Sequence, residues 1–304
     1  MLNQLLSGCR ALDLTDEKGF VCGKLLASLG VDVIKVEKPG GDPSRYIPPF
    51  FQDQPGPESS LYWKAFNTDK RSITLNLETE EGRDLFRRLA SQTDFVIESF
   101  QPGYLDQLGL GYEDLKAINP KIIMASITPF GQTGPRRHWK GCELVATAMG
   151  GVGINTGDAD RPPLKEALDT TYFHGSVAAA LGAMISYYHC DLTGEGQHVD
   201  VSLQEVTAFR MVSGLNAWQF DKLILKRQGP RQTIGRVATP WFWTCKDGYL
   251  FWHMMGGMLG ASANKALSDW MDETETDNPM REITDWVNFD KAMMPQEQWD
   301  RMEA

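Results

Sequence analysis

The chain has 304 residues, 42% of them hydrophobic, with a mean hydropathy of −0.33 and a formal net charge of −10. This length can bury a large core and predicts one large domain or two smaller ones. The acidic balance and the lack of a basic stripe argue against nucleic-acid binding, and no apolar run is long enough to span a membrane. The N-terminus lacks a signal-peptide pattern, so we predict a cytoplasmic protein with no membrane partner.

The five cysteines are widely spaced and include no C-x-x-C pair, and the five histidines form no H-E-x-x-H pattern. Disulfide frameworks and zinc sites depend on such spacings. We therefore predict reduced thiols and no metal site.

The N-terminal part of the chain predicts a β-α-β unit. Residues 9–15 and 31–37 are apolar strand candidates, and residues 19–29 form a helix candidate between them. Such a unit implies a parallel sheet. The first strand is followed by D-E-K-G and not by G-x-G-x-x-G, which makes a dinucleotide cofactor less favoured.

The alternation of strands and helices continues along the chain. Further strand candidates lie at residues 67–77, 94–99 and 121–128, and helix candidates lie at 80–92 and 108–118. We predict an α/β fold with an open, mostly parallel, Rossmann-like sheet.

The central segment places one carboxylate before a helix rich in small residues. Asp169 precedes a helix predicted at residues 172–190, a turn at Gly194 and Gly196 follows, and residues 198–203 form a strand candidate. Glycine and alanine on the helix predict a close approach by another element.

The C-terminal part predicts a smaller α+β domain. Residues 204–225 are predicted as helix and residues 226–240 as a basic linker, and K-D-G between two aromatic runs predicts a hairpin. The predicted domains are therefore residues 1–225 and 226–304. The segments W-F-W and H-M-M-G-G-M suggest a bulky apolar substrate, although such clusters are more often core.

Three kinds of nucleophile can be compared. A serine hydrolase would carry G-x-S-x-G, which does not occur here. Cys142 and Cys190 have basic or His neighbours in sequence, which is only weak support for a cysteine nucleophile. A carboxylate remains, and Asp169 is the candidate. The alternative is that Asp169 caps the helix that follows it.

Four motifs resemble the class III CoA-transferases, the CaiB/BaiF family that includes formyl-CoA, carnitine and benzylsuccinate CoA-transferases. They are V-I-K-V-E-K-P-G-G-D-P-S-R at residues 33–45, N-T-D-K-R-S-I at 67–73, S-F-Q-P-G at 99–103 and T-G-E-G-Q-H-V-D-V-S at 193–202. The last motif is the most specific.

The resemblance implies a coenzyme A site along the sheet. The implied CoA contacts are Glu17, Lys18, Lys35, Lys38, Asn67, Lys70, Ser99, Phe100, Gln101, Gln107, Thr128, Phe130 and Gly131. The sequence departs from the family pattern at Ser99, where Asn is usual, and at Gln107, where several members have Arg.

The resemblance also implies the reaction. CoA would move from an acyl-CoA thioester to a carboxylic acid through an aspartyl-CoA thioester on Asp169, in an interlocked homodimer or a heteromer with a related subunit. Members continue past residue 304, so the chain is expected to be truncated at its C-terminus.

Two alternatives stay open. The family's aspartate falls at Tyr172 when counted back from Thr193 without gaps, so the chain could be a non-catalytic CoA-binding subunit. A 2-methylacyl-CoA racemase would need a His near Cys142 with Glu143 as its acid, and that His is missing.

Overall fold

The computed structural model describes residues 5–234 and 237–303, which divide into two compact units by their contacts. Unit 1 comprises Met1–Gly153 and Lys165–Asn216, and unit 2 comprises Ile154–Leu164 and Ala217–Ala304. The domain boundary after residue 225 stays a prediction.

Unit 1 is built on a parallel sheet of six strands within the described residues, in the order β3-β2-β1-β4-β5-β6. The strands are β1 Arg10–Leu14, β2 Asp32–Glu37, β3 Arg71–Thr74, β4 Phe95–Glu98, β5 Ile123–Thr128 and β6 His198–Ser202. Each neighbouring pair of strands is parallel. In β1, for example, Ala11 lies opposite Val33 of β2 on one side and opposite Phe95 of β4 on the other. The predicted α/β fold is confirmed.

Helices connect these strands. They are α1 Phe20–Ser28, α2 Leu61–Phe66, α3 Glu80–Ala90, α4 Tyr104–Gln107, α5 Tyr112–Ile118, α6 Glu143–Met149, α7 Val152–Asn155, α8 Thr170–Thr193, α9 Leu203–Phe209 and α10 Val212–Asp221. Short 3-10 turns lie at Pro43–Tyr46 and Phe51–Asp53. Among the helices described, none is both long and apolar enough to cross a membrane.

The sheet separates two apolar cores. On one face Ile97, Ala125 and Ile127 pack against small residues of α8 such as Ala179 and Ala183. On the other face Leu12 and Val96 pack with Phe86, Leu110 and Leu115 from the α3 to α5 region. Burial of both faces explains why these strands read as continuous apolar runs.

Helix α8 approaches β6 and the first residue of α9 closely, as its small residues predicted. An added Cβ on Gly182 would lie 2.6 Å from Cγ1 of Val199, and one on Gly175 would lie 2.2 Å from Cδ2 of Leu203. The helix has 24 residues and extends beyond the predicted range at both ends.

The turn after α8 uses its two glycines differently. Gly194 has φ of +80° and ends the helix in the left-handed conformation, with open space around its Cα in the described chain. Gly196 lies against the backbone, because an added Cβ would be 1.9 Å from the carbonyl oxygen of Ile122. The Gly196 amide also donates to the carbonyl of Pro120 at 2.8 Å.

We expect Gly196→Ala to lower the free energy of unfolding by about 3 kcal/mol. The added methyl group would collide with the backbone carbonyl of Ile122, which cannot move aside as a flexible side chain can. Gly194→Ala is the matched control and should cost about 1 kcal/mol, from the left-handed backbone alone. Urea unfolding of both variants measures the difference. Equal losses would contradict this account of Gly196.

Unit 2 contains two antiparallel pairs among its described residues and two longer helices. The strands are β7 Arg231–Ile234, β8 Val237–Pro240, β9 Phe242–Cys245 and β10 Gly248–Phe251, and the helices are α11 Gly257–Glu273 and α12 Gln296–Glu303. A 3-10 turn lies at Lys291–Met293. Cys245 pairs with Gly248 across Lys246 and Asp247, so the predicted K-D-G hairpin is confirmed.

The predicted linker at residues 226–240 is partly wrong, because it contains the β7–β8 pair. Residues 235 and 236, between these strands, lie outside the described residues. The core of unit 2 includes Trp299, Met280, Trp286 and Met254.

Candidate active site

The strand order reverses between β1 and β4. The chain leaves β1 toward β2 on one side, while β4 lies on the other side. In open parallel sheets, ligands bind outside the carboxyl ends of the strands at such a point. Here the two strand ends are followed by residues 15–19 and by Ser99 and Phe100.

The loop after β1 is joined to the end of β4. The Asp16 amide donates to Ser99 Oγ at 2.9 Å, and that hydroxyl donates to Asp16 Oδ1 at 2.8 Å. Lys18 forms an ion pair with Asp16, and its carbonyl accepts a hydrogen bond from Ser176 of α8 at 3.2 Å. The loop is therefore fixed from both sides.

Glu17 lies in this loop and is half-buried. Burial and the nearby charge of Asp16 raise its pKa above its usual value. A raised pKa in a crevice is a feature of functional carboxyls, although ion-pair networks also produce it.

A buried charged cluster lies beneath the loop. Asp13 is fully buried, and its Oδ2 lies 2.8 Å from Nζ of Lys70, while its Oδ1 lies 3.4 Å from Nζ of Lys35. Oδ1 also accepts from the Thr15 amide at 2.9 Å and the Thr15 hydroxyl at 2.6 Å. Burial opposes ionisation, but the charges of Lys35 and Lys70 and these hydrogen bonds lower the pKa of Asp13 to about 2.

Three of the implied CoA contacts, Lys35, Asn67 and Lys70, belong to this cluster. Lys70 also donates to the Phe20 carbonyl and to Asn67 Oδ1, both at 2.8 Å, and Lys35 donates to the Thr15 carbonyl. The side chains of Lys35 and Lys70 are 2% and 1% exposed. Their direct contact with CoA stays a prediction, and their burial argues against it.

The Pro- and Gly-rich loop after β2 is held by Glu37. Arg45 pairs with Glu37 through two hydrogen bonds of 2.7 Å, and the Asp42 amide donates to Glu37 at 2.9 Å. Burial acts against ionisation of Glu37, but Arg45 and Ser72 lower its pKa to about 2. Lys38 is exposed next to this pair and is available to a ligand.

A cavity of about 160 Å³ opens beside the end of β4, and its lining includes Glu98, Gln101, Ser126, Gln132 and His198. Glu98 accepts from the Phe100 amide at 2.6 Å and from Gln132 at 3.3 Å. Ser126 Oγ lies 2.8 Å from Nε2 of His198. Burial raises the pKa of Glu98 to about 7, although Ser126 and the Phe100 amide act against this.

We expect stability to fall as the pH rises from about 4.5 to about 7, because the buried Glu98 prefers its proton while the unfolded carboxyl does not. Glu98→Gln should therefore stabilise the protein above about pH 7 and have little effect below about pH 4.5. Urea unfolding across this range measures the slope. Glu113→Gln, an exposed change at the same cavity, is the control and should leave the slope as it is.

The remaining implied CoA contacts near β4 are accessible to different degrees. Phe100 is half-buried and packs against Tyr104, with ring centroids 4.6 Å apart and ring planes tilted by 37°. Gln101 and Gln107 are exposed. Of these three, Gln101 lines the cavity beside the end of β4.

The turn after β5 carries Thr128, Phe130 and Gly131. Thr128 is fully buried, and its hydroxyl has no hydrogen-bond partner among the residues described. Gly131 has φ of +83°, and the Gln132 amide that follows donates to both oxygens of Asp200 at 3.0 and 2.9 Å. The buried Thr128 hydroxyl lowers the stability of the fold unless a water molecule or a ligand forms a hydrogen bond with it.

Asp169 lies at the N-cap position of α8, with a side chain that is 34% exposed. Its carboxylate accepts no capping hydrogen bond from the helix in the described chain, so the side-chain capping alternative is wrong. Instead Asp169 Oδ1 lies 3.2 Å from Nζ of Lys165. Burial raises the pKa of Tyr62, and the negative charges of Asp169 and Glu17 raise it further.

Glu143 is the first residue of α6 and is 5% exposed. Its Oε2 lies 3.3 Å from Nζ of Lys165, and its Oε1 accepts from Thr147 at 3.1 Å. Tyr172, in the first turn of α8, is buried, and burial together with the Glu17 charge raises its pKa. Cys142, where the racemase alternative needs a His, is exposed.

Asp169, Glu17 and the loop after β1 therefore lie in one region. Sequence reasoning missed Tyr62 and Lys165 as neighbours of Asp169 and considered Glu143 only for the racemase. A signal existed for Glu143, since it is an acid that opens an otherwise apolar helix. Among the described residues, no group of three or more His, Cys, Asp or Glu is placed to hold a metal ion.

A separate apolar cavity of about 570 Å³ lies in unit 2. Trp243 and Trp252 line it together with Met271 and Met280. The predicted contribution of W-F-W to a substrate pocket stays a prediction, since Trp243 and Trp252 also pack against the core of this unit.

A doubly wound parallel sheet with a polar crevice at its switch point defines a ligand-binding α/β protein. The chain belongs to CoA-transferase family III, whose family model matches residues 6–294.

The chain is similar to two curated CoA-transferases. It is 37% identical over 249 residues to succinyl-CoA:(R)-benzylsuccinate CoA-transferase subunit BbsE of Thauera aromatica, covering 82% of this chain and 60% of that protein. It is 37% identical over 247 residues to succinyl-CoA--D-citramalate CoA-transferase of Chloroflexus aurantiacus, covering 81% and 58%. The chain thus spans about three fifths of the length of these relatives.

Its fold is similar to a solved structure of a CAIB/BAIF family protein from Brucella suis. The TM-score is 0.76 at 31% identity, and the match covers 99% of this chain and 76% of that one. The predicted family is confirmed.

Proposed function

We propose that this chain binds an acyl-CoA along the carboxyl edge of its sheet and transfers the CoA to a carboxylic acid, with Asp169 as the acyl acceptor. The observation that carries this proposal is the setting of Asp169. Its carboxylate is partly exposed beside Lys165, and its charge, like that of Glu17 in the crevice loop, acts on the Tyr62 hydroxyl.

Several features of the crevice suit CoA. The exposed Lys38 can meet a phosphate. Phe100 offers a ring face, and Gln101 and Gln107 offer amides. In this proposal Lys35 and Lys70 act from beneath the loop and do not touch the ligand.

The proposed reaction has two halves. The Asp169 carboxylate attacks the thioester carbonyl, the C–S bond breaks, and a mixed anhydride and CoA thiolate form. The thiolate then attacks the Asp169 carbonyl, which gives an aspartyl-CoA thioester and releases the first acid as its carboxylate. An incoming carboxylate reverses these steps and leaves as the new acyl-CoA.

The chain's own groups support this chemistry. Asp169 stands at the amino end of a 24-residue helix, where the dipole favours negative charge. The Tyr62 hydroxyl beside it can donate to an oxyanion. Both intermediates react with water, so the region around Asp169 must be covered during turnover.

We also propose that the chain works in an assembly, as a homodimer or with a related subunit. Val177, Leu181, Ile185, Tyr188 and Leu192 form an exposed stripe along α8. Large exposed apolar surfaces of this kind mark contacts with other proteins. A cytoplasmic location stays a prediction.

A second candidate is a non-catalytic subunit that binds CoA and completes a partner. It is favoured by Tyr172, which occupies the family's aspartate position in an ungapped count, and by a relative that is named as a subunit.

Intact mass after incubation with succinyl-CoA tests the proposal. We expect a covalent CoA adduct on the wild-type chain alone. The incubation is repeated with a related subunit added. An adduct that forms only on the added subunit would support the second candidate. No adduct with or without a related subunit would overturn the transferase proposal.

A further inference from the structure

The residues before Asp169 form no helix or strand, yet two ion pairs hold them in unit 1. Lys165 reaches Glu143 of α6 at 3.3 Å, and Glu166 reaches Arg210 after α9 at 2.6 Å. Arg210 makes a second hydrogen bond to Glu166 at 3.0 Å. The segment is therefore attached to two helices by neighbouring side chains.

Lys165 lies between two carboxylates in different settings. Its Nζ is 3.2 Å from Asp169 and 3.3 Å from Glu143, and its own side chain is 37% exposed. Burial alone would lower the pKa of Lys165, but Asp169 and Glu143 raise it, so the ammonium is protonated at neutral pH. One cation thus joins this irregular segment to a buried acid.

Glu143 is itself fixed from the core. Thr147 donates to Glu143 Oε1, and the Thr147 hydroxyl lies 2.7 Å from that of Thr171. Thr207 of α9 donates to Thr171 at 3.3 Å. These threonines are all buried, so the carboxylate of Glu143 has a defined orientation.

We propose that Lys165 is a positioning residue, which links the Asp169 carboxylate to the buried Glu143 and so aims it at the bound thioester. This inference rests on the proposed function of Asp169. The chain of contacts runs from Thr171 and Thr147 through Glu143 to Lys165 and ends at Asp169.

Loss of Lys165 would change the orientation of the Asp169 carboxylate. A carboxylate on a short side chain can turn away from the thioester once its anchor is removed. Misplacement by about 1 Å costs on the order of a hundredfold in rate. Binding of the distant CoA portion does not depend on Lys165 and should be unchanged.

The test is the rate of adduct formation with succinyl-CoA, followed by intact mass over a range of concentrations. We expect Lys165→Met to lower the maximal rate by about 10- to 100-fold while the half-saturating concentration stays within about 2-fold. Lys165→Arg should restore most of the rate, because its guanidinium can bind two carboxylates.

Lys265→Met is the matched control. Lys265 pairs with Asp269 at 2.6 Å with the same four-residue spacing, on α11 of unit 2. It should leave the rate unchanged. If Lys165→Met fails to fold by circular dichroism, Glu143→Gln replaces it and should lower the maximal rate without changing half-saturation.

The outcomes separate the two proposals. A normal rate in Lys165→Met, with the adduct lost in Asp169→Ala, overturns this inference and leaves the transferase intact. A parallel change in rate and half-saturation without rescue by Arg indicates a merely structural role and also overturns it. No adduct on the wild-type chain, either alone or with a related subunit present, overturns both.

Discussion

Asp169→Ala is expected to abolish the covalent CoA adduct, with a loss of on the order of a thousandfold or more in its rate of formation. The reason is chemical, since alanine offers no oxygen to accept the acyl group. Intact mass after incubation with succinyl-CoA measures the adduct. Binding of CoA itself, measured by calorimetry, should change little because Asp169 contacts only the acyl end.

Asp191→Ala is the control for this experiment. Asp191 lies near the other end of α8 and is exposed, so its removal changes the helix charge by the same amount. The variant should form the adduct at the wild-type rate. An adduct that survives Asp169→Ala would mean that another group, such as Glu17 or Glu143, carries the acyl transfer.

Asp13→Ala is expected to lower the free energy of unfolding by about 3 to 5 kcal/mol. Two lysine ammonium groups that are almost fully buried would lose the carboxylate that lies between them. A loss of this size is a large part of the stability of an ordinary domain. Urea unfolding, followed by circular dichroism, measures it.

Asp32→Ala provides the surface counterpart. Asp32 also lies between two cations, Arg10 at 3.3 Å and Arg71 at 2.6 Å, but its side chain is 39% exposed. We expect a loss of under about 1 kcal/mol, because water screens these pairs. Similar losses for Asp13→Ala and Asp32→Ala would contradict the importance of burial.

The Asp13 contribution also has a defined pH dependence. Its pKa is lowered to about 2 in the folded protein from an ordinary 3.8. The stabilisation is therefore complete above the ordinary value and is lost as the pH falls through about 2.

The fold could be predicted from sequence because its parallel strands are short apolar runs separated by helical patterns. The site could be predicted only in part. Lys35 and Lys70 stand in motifs that suggest ligand contact, yet both point inward to Asp13. A one-dimensional pattern does not distinguish an inward-pointing from an outward-pointing cation within or just before a strand.

The partners of Asp169 show a second limit. Tyr62 and Glu143 are far from Asp169 in the sequence, and it is the packing of α2, α6 and α8 that brings them near it. The β7–β8 pair was missed for a different reason, because the glycines and prolines around it favour a loop prediction.

The position of β6 has a consequence for how this protein folds. β6 pairs with β5, but α6, α7 and α8 lie between them in the chain. Loop closure over such a distance is slow compared with formation of neighbouring contacts. The first five strands can therefore assemble during synthesis, and the apolar surface of β5 stays uncovered until α8 and β6 dock together.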